Sequence, residues 1–393
     1  MSSGFRDLRE GPRKPVVMVC FGTRPEVIKL APVVAALVAD DELDVMVVTT
    51  AQHRELLDQM LETFDIEPDL DLDLMRPNQT LAELTSNAVA RLAEVMAAEA
   101  PDAVLVQGDT TTMFCAALAG FYEGVPVGHV EAGLRTNDPR RPFPEEINRR
   151  LASTLATWHY CPTERNAFAL RREGVDPTAI CITGNTVIDA VLSIDRRPLA
   201  PHQAARLPQP SGRPRILVTL HRRETQGEAQ RRLCRMLGSL AAERDVEILL
   251  PMHLSTAVRT SVIAELGGSS NVHLLEPLEY PVFVHAMRSS RLIVTDSGGV
   301  QEEAPVFGVP VVVMRDTTER VEAVDAGCLV LSGTDPTGVK ADIIDLLDDD
   351  DRWQRMSEAR SPYGDGRAAE RIVAHLRDQL DGRAQSEWVS GAP

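Results

Sequence analysis

An α/β protein of two doubly wound domains is what this sequence predicts, on three observations. Its 393 residues are about twice the length of an ordinary domain. Short runs rich in Val, Ile and Leu alternate with longer stretches of helical periodicity, the pattern of buried parallel strands and their crossover helices. Almost every apolar run ends in Gly, Asp, His, Arg or Asn, and open parallel sheets bind ligands beyond the carboxyl ends of their strands.

Taken in order, the strand runs of the first half are PVVMVCFG (15–22), LDVMVVTT (43–50), DAVLVQGD (102–109), VPVGHVEAG (125–133), ATWHYCP (156–162) and AICITGN (179–185). Those of the second half are RILVTLH (215–221), VEILLPMH (246–253), NVHLLEPL (271–278), RLIVTDSG (291–298), VPVVVMRD (309–316) and CLVLSG (328–333). Between the halves, residues 193–215 carry five prolines and no apolar periodicity, as a linker does. The reading is therefore an N-terminal Rossmann-like domain over 1–200 and a C-terminal one over 201–366. An amphipathic helix over 367–380 returns to the first domain, and 381–393 form a disordered tail. The active site is expected in the cleft where the two domains face each other.

Composition narrows the function. Apolar residues at 44% and charged residues at 25% suit a globular chain with a real core. A formal net charge of -17 argues against binding nucleic acid or an anionic membrane, so an anionic ligand needs a local basic pocket. The six cysteines are dispersed without metal-site or disulfide-scaffold spacing, as reduced cytoplasmic thiols are. The charged N-terminus does not read as a signal peptide, and no run reaches the roughly 18 apolar residues of a membrane span.

Several motifs stand at strand ends. Gly22-Thr23-Arg24-Pro25-Glu26 has capping-box spacing and opens a helix, whose free amides with Arg24 and Lys29 suit phosphate; a plain helix start is the bland reading. Gln107-Gly108-Asp109-Thr110 ends the third run, where Asp109 is either an N-cap or a catalytic acid. His129 and Glu131 alternate on one face of the next strand end, and a carboxylate in an apolar strand is costly without a partner or a task. Glu145 and Glu146 open the following helix, which continues through Arg149; acids in a first turn also simply complement the helix dipole. Asp109, Glu131 and Glu145 thus gather at neighbouring strand ends of one domain.

In the second half, His221 ends a strand ahead of two arginines. Ser297-Gly298-Gly299 opens a helix with paired glycines, through which backbone amides can approach a diphosphate, while Glu303 a turn later can take ribose hydroxyls. Arg315 and Arg320 add cations, and Tyr280 and Phe283 offer aromatic faces to a base or to the core. The dinucleotide, P-loop, nucleophile-elbow and zincin motifs are all missing from the sequence.

The ordered set FGTRPEVIKLAP, TAQHRELLDQ, GDTTT, GHVEAGLRT, PFPEEINR, TGNTVIDA, HRRE, DSGGVQEEAP, VMRDTTERVEA and SPYGDG resembles the non-hydrolysing UDP-N-acetylglucosamine 2-epimerases over residues 15–380. That resemblance implies two Rossmann-like domains in the GT-B arrangement, a homodimer, and interconversion of UDP-GlcNAc and UDP-ManNAc through loss and return of UDP, with no cofactor and no obligatory metal. It implies that Asp109, Glu131, Glu145 and His221 are catalytic. Diphosphate contacts fall on Arg24, Lys29, Arg149, Ser297, Gly298, Gly299 and Arg320, the ribose contact on Glu303, and uracil stacking on Phe283. A second nucleotide sugar, as an activator, would lie beside Gln52 and His53.

Gln107 stands where many such proteins carry His, and Arg140-Arg141 replaces a Tyr-Ser pair. The arginine pair admits a modified substrate such as a 2,3-diacetamido uronic acid. A GT-B glycosyltransferase is the other alternative, with a hydrolysing epimerase and a non-catalytic sensor behind it.

Overall fold

The computed structural model describes residues 13–51, 54–76, 78–220 and 227–390. The chain divides into two compact units, one of Met1–Thr186 with Arg367–Pro393 and one of Val187–Gly366. Both are doubly wound, as the alternation of apolar runs and helical stretches requires.

The first unit orders its elements as β1 (Val16–Phe21), α1 (Arg24–Val38), β2 (Asp44–Thr49), α2 (Arg54–Thr63), β3 (Leu70–Asp71), α3 (Leu81–Glu99), β4 (Ala103–Gln107), α4 (Thr111–Tyr122), β5 (Val127–Val130), α5 (Glu145–Leu155), β6 (Trp158–Cys161), α6 (Glu164–Arg172) and β7 (Ile180–Ile182). Its parallel sheet runs β3-β2-β1-β4-β5-β6-β7. The strand order reverses between β1 and β4, where Val17 pairs with Ala103 and Val19 with Leu105. That reversal opens a crevice beyond the strands' carboxyl ends. β1 and β4 are buried on both faces, which is why they read as unbroken apolar runs rather than alternating ones.

The second unit begins within α7 (Thr186–Asp195) and continues with α8 (Pro201–Ala204), β8 (Arg215–Thr219), α9 (Glu228–Glu243), β9 (Glu247–Pro251), α10 (Thr256–Leu266), β10 (Val272–Leu275), α11 (Tyr280–Arg288), β11 (Leu292–Thr295), α12 (Gly298–Glu303), β12 (Val311–Val313), α13 (Val321–Asp325), β13 (Leu329–Leu331), α14 (Pro336–Asp348) and α15 (Asp350–Ser357). Its sheet order is β10-β9-β8-β11-β12-β13, and the reversal falls between β8 and β11. One core of Ile216, Val218, Ile248, Leu250, Val294 and Val312 with α9 and α14 residues fills one side of that sheet.

The division lies at Thr186–Val187 rather than near residue 200, and the proline-rich stretch is part of the second unit. Arg206 donates to the Pro277 carbonyl at 2.9 Å and Gln203 to Glu279 at 2.9 Å. Arg215, buried with Glu247 at 2.8 Å, also donates to the Pro208 carbonyl at 3.0 Å. Prolines rigidify this stretch, but long-range polar partners fasten it down.

Helix α16 (Ala368–Ser390) belongs to the first unit and runs ten residues beyond the expected end at 380. After that point no proline occurs before Pro393, and the helix runs on through Gly382. Its buried Ile372, Val373, Leu376 and Leu380 keep helical spacing, and His375 accepts from the Tyr160 hydroxyl at 3.2 Å.

Two buried histidines face each other in register on β5 and β6, His129 and His159. Burial pushes His159 down to about 4, with Arg135 adding to the effect. A base with a depressed folded value is charged first in the unfolded chain, so the stability it contributes is lost as pH falls below about 6.5. Between pH 7 and 5 the loss is about 2 kcal/mol. Denaturant unfolding of wild type and His159→Phe at pH 7.5 and 5.0 checks this. The wild type is expected to lose more stability than the variant, and an equal loss in both would refute the linkage.

Candidate active site

The turns after β1 and β4 lie side by side at the strand reversal of the first unit. Gly22 is confined there: a Cβ would fall 2.0 Å from Thr50 Oγ1 and 2.5 Å from Thr112 Oγ1, two hydroxyls that bond each other at 2.8 Å. Thr23 caps α1, and its hydroxyl donates to Glu26 at 2.8 Å. Glu26 also accepts from the backbone N–H of Gly22 at 3.0 Å and of Thr23 at 2.8 Å. Its other oxygen accepts from the Thr110 hydroxyl at 2.6 Å. Burial raises the Glu26 carboxyl to about 7 against the pull of these four hydrogen bonds. Arg24 opens α1 with its side chain exposed.

Glu131 directly follows β5 in the left-handed region, at φ 65°. For a residue with a Cβ this costs roughly 1–3 kcal/mol, strain of the kind that surrounding structure must hold in place. The holders are Lys29, which pairs with one carboxylate oxygen, and Gln107, whose amide donates to the other. His129 donates its Nε2–H to the Gly108 carbonyl at 2.8 Å, and burial pushes its ring down to about 3, so it is neutral.

Asp109 pairs with Arg149 of α5, and the Asn148 side-chain amide donates to the Asp109 carbonyl at 3.0 Å. Arg149 also meets the fully buried Glu146 at 3.2 Å. Glu146 accepts from the Thr136 N–H at 2.9 Å and from Arg150 at 3.1 Å. Burial works to raise its carboxyl, yet these partners hold it below the usual range. Glu145 lies four residues before Arg149, on the same side of α5. Its Oε2 is buried with no hydrogen-bond partner among the described residues. Asp109 and Glu131 are thus each paired with a cation at neighbouring strand ends, and Glu145 opens the helix that carries Arg149. Lys29 and Arg149, expected on a phosphate, each pair with one of the expected catalytic carboxylates.

At the reversal of the second sheet, Ser297 caps α12, and its N–H donates to Thr295 Oγ1 at 2.9 Å. The Arg320 guanidinium lies on the glycine turn, since a Cβ on Gly298 would be 3.2 Å from its central carbon. Arg320 pairs with Glu302 at 2.8 Å and with Glu319 at 3.3 Å, and Arg315 meets Glu319 at 3.0 Å. Burial opposes ionisation of Glu319, but the two arginines bring it down to about 2. Glu303 is buried beside Gly299 and accepts from the Tyr280 hydroxyl at 3.4 Å. Phe283 stands three residues after Tyr280 on α11, half-buried. A guanidinium lying over a glycine turn presents charge-assisted donors of the kind that meet phosphate oxygens.

His221, Gln52 and His53 lie outside the described residues. Sequence reading passed over Glu26 and Thr110, seen there as capping residues, and over Glu302 and Glu319, which orient Arg320. The capping-box spacing was the one signal for Glu26.

A family model described as UDP-N-acetylglucosamine 2-epimerase matches residues 35–377. The UDP-N-acetylglucosamine 2-epimerase of Escherichia coli K12 is 48% identical over 370 residues, covering 92% of this chain and 98% of that protein. A solved structure of Staphylococcus aureus MnaA with UDP superposes with a TM-score of 0.85 at 44% identity, over 93% of this chain and 97% of that one. The Neisseria meningitidis UDP-GlcNAc 2-epimerase bound to UDP-GlcNAc gives 0.83 at 42% identity, over 92% and 99%.

Proposed function

The chain belongs to the UDP-N-acetylglucosamine 2-epimerase family, and we propose that it interconverts UDP-GlcNAc and UDP-ManNAc by eliminating UDP and adding it back. The observation that carries this reading is the placing of two carboxylates, Asp109 and Glu131, at the neighbouring ends of β4 and β5, each paired with a cation, Arg149 and Lys29. The C2 hydrogen of the sugar has no carbonyl beside it and is poorly acidic. Removing it is feasible only as the C1–O bond to the diphosphate breaks, giving 2-acetamidoglucal and UDP. The reverse addition delivers a proton to the opposite face of C2 and the diphosphate oxygen to C1. Such a path needs proton-transferring groups around the ring and cations for the departing charge.

Glu131, paired with Lys29, and Asp109, paired with Arg149, are assigned to proton acceptance, and Glu145, which has an oxygen without a partner among the described residues, to delivery. We assign the diphosphate to Ser297, Gly298, Gly299 and Arg320, the ribose to Glu303 and the uracil to Phe283, and carry Arg24 as a diphosphate contact on the family resemblance alone. His221 is carried as a catalytic group, and Gln52 and His53 as contacts for an activating nucleotide sugar, on the family resemblance alone.

Incubation with UDP-GlcNAc in D2O, with no acceptor present, should place deuterium at C2 of both epimers. Sugar transfer or release of free ManNAc without C2 exchange would defeat the reading. One observation favours a second substrate: the Arg140 and Arg141 side chains are exposed and make no ion pair among the described residues, which suits a sugar carboxylate. Faster turnover of a 2,3-diacetamido uronate than of UDP-GlcNAc would select it.

Exposed Phe121 and Tyr122 on α4 and Leu151 on α5 support a homodimer through these neighbouring helices, which sedimentation equilibrium checks. No helix among the described residues is long and apolar enough to cross a membrane. Six free cysteines, five of them buried, support a cytoplasmic setting.

A further inference from the structure

We propose that Glu26 is a positioning residue that fastens the turn bearing Arg24 to the turn bearing Asp109, and so keeps those two groups in register through the reaction. The inference rests on the epimerase reading and adds a residue to its machinery.

Four donors converge on this carboxylate from two separate strand ends. Gly22 N–H, Thr23 N–H and the Thr23 hydroxyl reach Oε2 at 3.0, 2.8 and 2.8 Å, all from the turn that leads into Arg24. The Thr110 hydroxyl reaches Oε1 at 2.6 Å from the residue after Asp109. Thr110 has no freedom to turn away, because its oxygen already accepts the Met113 N–H at 3.0 Å as the cap of α4. Its hydrogen therefore points at Glu26, and Glu26 must accept. An anion with four donors fits; a neutral acid must displace one of them.

A purely structural acid does not explain the arrangement. Glu26 is fully buried and pairs with no cation among the described residues, a costly way to cap a helix that Thr23 and Pro25 already start. The titratable group facing it from β1 is the Cys20 thiol, with Cys115 of α4 beyond; burial pushes both up, so both are neutral. With only neutral neighbours, the carboxyl raised to about 7 by burial takes up its proton within the working range. Below that point the proton goes to Oε1, which meets one donor where Oε2 meets three, so the Thr110 link is the one to loosen.

Glu26→Gln keeps the volume and replaces one acceptor with a donor. Its kcat should fall about 30-fold or more with KM within about threefold, since positioning matters to the transition state more than to the bound ground state. The acid limb expected in wild-type kcat near pH 7 should be absent from it. Thr110→Val, which cuts the same link from the other side, should lose about tenfold in kcat, and Thr110→Ser should restore it. Wild-type kcat in folded Glu26→Gln, an acid limb that stays in place, or a fully active Thr110→Val each overturn the proposal; if Glu26→Gln does not fold, the Thr110 pair decides. C2 deuteration by wild type, measured alongside, separates the two levels. Wild-type exchange with an unaffected variant sinks this inference alone, and no wild-type exchange sinks the epimerase reading with it.

Discussion

Glu131→Gln is expected to slow turnover of UDP-GlcNAc by about 10²- to 10⁴-fold, the usual worth of a positioned proton-transferring group. UDP affinity should stay within about threefold, because the donors assigned to the nucleotide are carried by other residues. The amide matches the carboxylate in shape, so the left-handed backbone at φ 65° and the contact with Gln107 can persist. What the amide removes is the charge. The ion pair with Lys29 is then lost, and so is the carboxylate offered to the C2 proton at the strand end. Deuterium exchange at C2 reads the proton step and calorimetry with UDP reads binding. Exchange at the wild-type rate would strip Glu131 of its role, and equal loss of exchange and UDP affinity would point to general collapse of the site.

Strands with continuous Val, Ile and Leu runs were legible because parallel strands covered on both faces need them. β3 was not: Leu70–Asp71 is two residues long and only half-buried, so it leaves no apolar run. Residues 193–215 read as a linker because local composition reports stiffness, whereas the Arg215–Glu247 and Arg206–Pro277 partners are set by folding. The same limit governs the site. Asp109, Glu131 and Glu145 could be picked out at strand ends, but Lys29 and Glu131 are 102 positions apart and Asp109 and Arg149 are 40 apart. Which cation serves a phosphate and which an acid is therefore decided by the order of strands in the sheet. Glu26 was hidden for a related reason, since one of its oxygens does the capping its spacing announces while the other reaches a strand end 84 residues on.

Arg320→Ala is expected to weaken UDP binding about 10²-fold while leaving uridine within about twofold, because charge-assisted hydrogen bonds worth about 1.5–3 kcal/mol each go to the diphosphate. The loss has a second source. Arg320 neutralises Glu302 and Glu319, and without it two carboxylates face the glycine turn where the diphosphate is assigned. Glu319 keeps Arg315, but Glu302 is nearly fully buried and loses an ion-pair partner, which costs about 3–5 kcal/mol of folding stability. The double variant Arg320→Ala, Glu302→Gln should therefore recover stability without recovering UDP affinity, which separates the fold's use of the guanidinium from the ligand's. Arg320→Lys should recover little of either, because an ammonium cannot lie flat against Gly298 and reach both acids. Calorimetry with UDP and with uridine, beside thermal unfolding of the same proteins, gives the result. If uridine weakens as much as UDP, the guanidinium serves the shape of the turn, and the diphosphate must be held elsewhere.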